Sequence, residues 1–364
     1  MERALINSDD ATEPGRDAKA LTAMPSTNQF ERAAGALYGL AIGDALGMPT
    51  QMMTREEVVS VFGTLLVDFE PAPSDHPIAE GMTAGRITDD TEQAMLLATQ
   101  LIEGEGDVDV RRWADALIAW EEAMKAKGSL DLLGPSTKRA IAALLDGGSP
   151  EEVGSRGDTN GAAMRITPVG ISVSTNNLDD LVSSVVMASR LTHNTSVALA
   201  GASAVAAAVS GGVEGATMEE MIELACDAAV LGSRRGHWIA GADVAVRIRW
   251  AIQLVEGLNA EGVVDLLPIL VGTSLATWES VPAAFAVASE FWREPWLACR
   301  VAASLGGDSD TIAAMTGAIV GSLRGCNVFP EKARETVANE NELNLGEMAT
   351  KLLALRNRGV VLTA

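Results

Sequence analysis

Gly306-Gly307-Asp308-Ser309-Asp310-Thr311 runs straight into the small-residue stretch from Ile312 to Gly325. A glycine pair handing over to Asp and Ser, then to apolar residues at helical spacing, marks a helix start. The same chemistry recurs upstream, where Thr88-Asp89-Asp90-Thr91 precedes the apolar run Ala94 to Ile102. Each stretch supports two interpretations. Thr, Ser and Asp are favoured caps, and acids in a first turn complement the helix dipole. Yet a cap needs one side-chain oxygen and each stretch supplies at least three, while adjacent carboxylates repel unless protons or a cation compensate them. Oxygen ligands with no His or Cys beside them suit Mg²⁺, Mn²⁺ or Ca²⁺ rather than zinc. The duplicated pattern favours metal over capping.

Outward from these two starts, the spacing of apolar residues predicts helices over 30–46, 88–103, 108–127 and 137–145. From residue 178 helices follow almost without interruption: 178–189, 196–210, 218–231, 240–256, 263–270, 283–291, 296–304, 312–323, 330–338 and 345–356. No period-two alternation persists and no fixed repeat is evident. The expected class is all-α, one helical domain over residues 30–364 after a flexible tail over 1–29. Gly and Pro punctuate residues 47–85, which reads as a long loop with a short helical piece near Arg55 to Phe62, and loops of that length are usually functional.

Of 364 residues, 48% are apolar but only 4% aromatic, so the core is built from Ala, Leu, Val, Ile and Met. A net charge of −22 argues against nucleic-acid backbones and anionic membrane surfaces as partners. Three scattered cysteines, Cys226, Cys299 and Cys326, form no CxxC pair and fit a reducing cytoplasm. No apolar signal region opens the chain, and the Ala-rich run from Ser196 to Val213 reads as a buried helix rather than a membrane span. The oligomeric state is left open.

Three further segments carry polar chemistry. Gly39-Leu40-Ala41-Ile42-Gly43-Asp44-Ala45-Leu46-Gly47 reads as a tightly packed helix ended by glycine, in which Asp44, near a helix C-terminus, calls for a backbone amide or an Arg as partner. Gly157-Asp158-Thr159-Asn160-Gly161 is either a plain turn or a cradle of amides for phosphate, without Walker or dinucleotide spacing. His193 stands at a polar turn between two helices; His76 and His237 have no comparable setting.

Together Gly43-Asp44-Ala45-Leu46-Gly47, Thr88-Asp89-Asp90-Thr91, Asn160-Gly161-Ala162-Ala163-Met164-Arg165, Thr192-His193 and Gly306 to Thr311 resemble the ADP-ribosylglycohydrolase family, which includes the dinitrogenase-reductase-activating glycohydrolases and ADP-ribosylhydrolases. Gly317 to Gly321 and Ser280 to Ala284 extend the match, which covers residues 32–325 in family order. The resemblance implies an all-α orthogonal bundle with a dinuclear Mg²⁺ or Mn²⁺ cleft. It implies Thr88, Asp89, Asp90, Asp308, Asp310 and Thr311 as ligands, with Gly157 to Gly161, Met164 and His193 lining a ribose and diphosphate pocket. Where several ADP-ribosylhydrolases carry an acid, this chain has Gln51, which cannot take a proton. The expected reaction is hydrolysis at C1 of a ribosyl group, with Asp89, Asp90 or Asp310 accepting a proton from water. The substrate is an ADP-ribosylated protein or a small ADP-ribosyl or nucleoside-like riboside; an idle ADP-ribose-binding module is the rival.

Overall fold

Asn28 caps the first helix reciprocally: its side chain accepts from the Glu31 amide at 2.8 Å, and the Glu31 carboxylate accepts from Asn28 N at 3.3 Å. This capping box starts α1 (Gln29–Gly47) at the last residue of the stretch assigned to the tail. The structure, a computed structural model, describes residues 28–128 and 133–361; residues 1–27 of the expected tail lie outside the described residues.

Seventeen α-helices and no strand make up the described residues. After α1 come α2 (Arg55–Phe62), α3 (Asp89–Glu103), α4 (Val110–Ala126), α5 (Pro135–Leu145), α6 (Gly161–Met164) and α7 (Thr167–Ser172). Then follow α8 (Leu178–His193), α9 (Ser196–Glu214), α10 (Met218–Ser233), α11 (Val244–Val255) and α12 (Ala260–Leu270). The chain closes with α13 (Thr277–Phe291), α14 (Pro295–Ala303), α15 (Ser309–Arg324), α16 (Glu331–Glu340) and α17 (Leu345–Val361). The all-α expectation holds.

Most expected boundaries shift by a few residues, and two of the shifts bear on the site and the core. α15 begins at Ser309 rather than Ile312, so Asp310 and Thr311 stand in its first turn. α13 begins at Thr277, six residues before the expected start, and carries Pro282 inside it. Proline removes the donor for the carbonyl four residues back. That carbonyl, Trp278 O, instead accepts from Arg247 Nε at 3.2 Å, which lets the helix continue through the proline.

The centre of the fold is the antiparallel pair α1 and α15. Gly35, Gly39, Gly43 and Gly47 face Gly321, Gly317, Ala313 and Asp310 in turn, backbone against backbone. A Cβ added at Gly39 would lie 2.5 Å from the Gly317 carbonyl carbon, and one at Gly47 would lie 2.6 Å from Asp310 N. Small residues at a spacing of four remove side chains from one helix face, and close packing follows. α9 packs beside this pair and is buried from Ser196 to Val213; its length and apolarity would suffice to cross a membrane, but it lies wholly inside the protein. The consequence for function is positional. The C-terminus of α1 is clamped against the N-terminus of α15, which sets Gly47 against the backbone of Ser309 and Asp310.

Candidate active site

Asp44 sits in the last turn of α1, where the helix dipole disfavours an anion. Its carboxylate is fully buried and accepts from Thr88 N at 2.9 and 3.1 Å, Thr91 N at 3.0 Å and Thr91 Oγ1 at 2.5 Å. The positive end of α3 thus supplies the partner. Thr88 caps the same helix through Asp90 N at 3.4 Å. The capping chemistry of this stretch is therefore satisfied by Thr88 and Asp44, and neither Asp89 nor Asp90 is needed for it.

The second stretch departs from capping altogether. Asp308 occupies the N-cap position of α15 but makes no capping hydrogen bond. Its Oδ2 accepts instead from Asn160 Nδ2, which also donates to Ser280 Oγ at 3.0 Å. Gly306 and Gly307 carry positive φ of 74° and 68°, which a side chain rarely tolerates. They pin the turn between two segments: Met52 N donates to Gly307 O at 2.6 Å, and Gly307 N donates to Met53 O at 2.7 Å. Asp308 N then donates to Thr273 O at 2.7 Å. Asp90 joins the two stretches, its Oδ2 accepting from Thr88 Oγ1 at 3.1 Å and Thr311 Oγ1 at 3.2 Å.

A cavity of about 160 Å³ opens over this junction. Among the expected site residues Gln51, Asp89, Thr159, Asn160, Gly161, Met164, His193, Asp308, Asp310 and Thr311 line it. Thr88 and Asp90 are buried and lie behind that wall. Gly157 and Asp158 do not reach the cavity. A Cβ at Gly157 would meet His193 Cα at 2.9 Å, and Asp158 O accepts from Thr277 Oγ1 at 2.9 Å; both hold the loop against α8 and α13. Gly161 has a site-side reason for its missing side chain, since a Cβ there would meet His193 Cε1 at 2.9 Å.

Burial and mutual repulsion set the electrostatics. Burial, then the neighbouring carboxylates of Asp310, Asp44, Asp89 and Asp308, hold the Asp90 pKa well above the usual carboxylate range. Burial lifts Asp44 to about 6 against the opposing hydrogen bonds of Thr91 and Thr88, and lifts Asp308 to about 6 against those of Asn160 and Thr311. Asp90 Oδ1 is buried with no hydrogen-bond partner among the described residues. An orphaned carboxylate oxygen inside a ring of carboxylates and hydroxyls is a donor set that suits hard divalent cations. Among the described residues no three acid, His or Cys groups already stand in a coordination geometry. The carboxylates are turned to neutral donors, Asp89 to Gln93 Nε2 at 2.7 Å and Asp308 to Asn160, and gathering them round an ion requires side-chain rotation.

Behind the cavity lies a buried cation with no expected role. Arg165, 1% exposed, donates through Nη1 to Gln93 Oε1 at 2.6 Å and through Nη2 to Thr192 Oγ1 at 2.6 Å. Thr192 Oγ1 meets His193 Nδ1 at 2.8 Å, and His193 Nε2 meets Thr159 Oγ1 at 2.9 Å. Arg165 also lies over the Trp113 ring, 5.2 Å from its centroid.

His76, within the long loop, is buried next to Gln51. Its Nδ1 accepts from Ala79 N at 2.9 Å and Ile78 N at 3.3 Å, so its Nε2–H donates to Gln51 O at 2.9 Å. The long loop is thereby fastened beside Gln51, and Ile78 joins Met52 and Leu275 as apolar lining. Nothing local in the sequence marks these contacts. Only the Asn160-to-Arg165 stretch, with polar residues at both ends of a buried four-residue helix, carried a signal for Arg165.

Comparison with known proteins agrees with this architecture. Residues 25–360 match the family described as ADP-ribosylglycohydrolase. The Escherichia coli K12 protein YegU is 33% identical over 90% of this chain and 98% of its own length. The Bos taurus ADP-ribosylhydrolase ARH3 is 26% identical over 88% of this chain and 92% of its own. A solved structure, an ADP-ribosylglycohydrolase-related protein complex, superposes with a TM-score of 0.67 over 90% of this chain and 99% of that one, at 23% identity, and shows the shared fold. The helical bundle, the acid-rich helix starts it brings together and the match along nearly the whole chain place this protein in the ADP-ribosylglycohydrolase family, hydrolases of ADP-ribosyl linkages.

Proposed function

We propose that the protein is a divalent-cation-dependent hydrolase that cleaves the glycosidic bond at C1 of the ribose in ADP-ribosylated protein side chains or related ADP-ribosyl compounds. The observation that carries this reading is Asp308, a buried N-cap aspartate that does no capping and faces the same cavity as Asp310 and Asp89. Thr88, Asp89 and Asp90 on α3 and Asp308, Asp310 and Thr311 on α15 would hold two Mg²⁺ or Mn²⁺ ions. Such ions supply charge that orients ribose hydroxyls and lowers the pKa of an attacking water.

The protein's own groups do the rest. Asp89, Asp90 or Asp310 takes the proton as water adds to the anomeric carbon. Gln51 contributes hydrogen bonding only, so the base falls to the aspartates. Thr159, Asn160, Gly161, Met164 and His193 bind and orient the ribosyl group, and Ile78, Met52 and Leu275 exclude water at the rim. The three cysteines are buried and free, which supports a cytoplasmic setting; an acidic surface supports neither nucleic acid nor anionic membrane as partner.

The test is ADP-ribose release from ADP-ribosyl-arginine and from ADP-ribosyl-serine peptide by chelated protein, before and after Mg²⁺ or Mn²⁺ is returned. Release restored by metal from either supports the reading. Turnover of nucleosides with no ADP-ribose release would favour the small-riboside alternative, to which the uncharged Gln51 lends weight.

A further inference from the structure

A buried guanidinium is costly unless its donors are used and its charge is balanced. Among the described residues Arg165 has no carboxylate in hydrogen-bond contact; Asp89, whose charge acts on it, is reached through the Gln93 amide. On its other side Arg165 donates to Thr192 Oγ1. That oxygen is thus an acceptor, and among the described residues the hydrogen bonds give its own hydrogen one place to go, His193 Nδ1. An imidazole that accepts at Nδ1 carries its proton on Nε2 when neutral. Nε2–H then donates to Thr159 Oγ1, and the Thr159 hydroxyl hydrogen is left pointing elsewhere, on a residue that lines the cavity. Every link from Asp89 to Thr159 is therefore oriented by Arg165.

We propose that Arg165 and Thr192 are positioning residues that lock His193 in its Nε2-protonated tautomer, so that Thr159 donates its hydroxyl hydrogen to an oxygen of the bound ribosyl substrate. Burial and the nearby Arg165 and Arg139 charges push the His193 pKa well below the ordinary range, which agrees with a neutral ring. Gly161 leaves the room that the ring occupies. The part played by Thr159 rests on the proposed ribosyl site; the tautomer lock does not.

The experiment is ¹⁵N NMR of histidine-labelled protein. The chain has three histidines, so His76→Gln and His237→Gln variants assign the His193 signals. The wild type should show a protonated Nε2 and an unprotonated Nδ1 at His193, and Thr192→Val should abolish that single tautomer. A protonated Nδ1 or an averaged pair in the wild type, or an unchanged ring in Thr192→Val, overturns the lock. Arg165→Met should act like Thr192→Val; if it fails to fold, the isosteric Thr192→Val still decides. Thr159→Val should raise KM for an ADP-ribosyl substrate about tenfold with kcat within a few-fold, as loss of one neutral hydrogen bond predicts, and Thr159→Ser should restore it. An unchanged KM overturns the assignment of Thr159 as donor. No turnover in the wild type would sink the ribosyl reading instead, with the tautomer still deciding the lock.

Discussion

Replacing Gly39 with Ala puts the backbone contact of α1 and α15 to the test. The new Cβ would stand 2.5 Å from the Gly317 carbonyl carbon and 3.1 Å from Phe329 Cζ, where ordinary contact begins at 3.4 Å. The Gly317 carbonyl oxygen lies closer still, and this carbonyl belongs to a buried helix and cannot swing away, so the helices must part by at least about 0.9 Å, the difference between 3.4 and 2.5 Å. A gap of that size forfeits up to about half of each contact, and an interface of ~40 contacts at ~0.15 kcal/mol each loses about 3 kcal/mol. Alanine returns about 1 kcal/mol of helix propensity over glycine. The net expectation is a loss of about 2 kcal/mol, within the usual range for overpacking. Gly346→Ala in α17 serves as the control, because nothing lies within 4 Å of its Cβ; it should stabilise by about 0.5–1 kcal/mol. Urea denaturation of both variants measures the two signs. A Gly39→Ala protein as stable as the wild type would refute the claim that the two backbones touch. Since the same pair sets Gly47 against the Asp310 backbone, Gly47→Ala should additionally weaken Mn²⁺ binding.

Other consequences can be checked independently. Asp44→Asn turns an amide toward the α3 donors that Asp44 now accepts, so it should cost about 2–3 kcal/mol in denaturant unfolding; an unaltered midpoint would mean that Asp44 does not anchor α3. His76 is held neutral by burial, with its pKa lowered despite the opposing Gln51 carbonyl and Asp75 charge. The unfolded chain then binds a proton that the native state refuses, so this contribution is intact above about pH 6.5 and is lost as pH falls toward the depressed native value. Stability measured from pH 7 to 5 should decline less steeply in His76→Gln than in the wild type. Arg356, 5% exposed, donates to Gly170 O, Ile171 O, Ser210 and Glu214. Arg356→Met strands the backbone carbonyls and the Glu214 charge, and thermal unfolding should show a loss of about 3 kcal/mol or more.

The helices were legible because their signals are local. The cap at Thr88 and the apolar spacing along the chain locate most elements to within a few residues. The α13 start was not legible, because Pro282 is a helix breaker in isolation and its tolerance depends on Arg247, thirty-five residues upstream. At the site, the two acid-rich starts stood out by carrying more oxygens than capping uses. What joins them is long-range: the glycine faces of α1 and α15, Asn160 reaching Asp308, and the path through Arg165. His76 escaped notice for the same reason, since its partners are two loop amides and a carbonyl at Gln51. Gly157 and Asp158 illustrate the reverse, a glycine-rich loop whose first residues serve packing while Thr159 to Gly161 face the cavity.

The proposed reaction requires divalent cations held jointly by the starts of α3 and α15. A titration of chelated protein with Mn²⁺, followed by electron paramagnetic resonance and by ADP-ribose release on the same samples, tests it most directly. Two bound equivalents are expected in the wild type, with activity rising as they fill. Asp308→Ala should show reduced binding and no turnover, with the helical circular-dichroism signal retained. Full turnover by metal-free wild type, or by a folded Asp308→Ala protein, would contradict it.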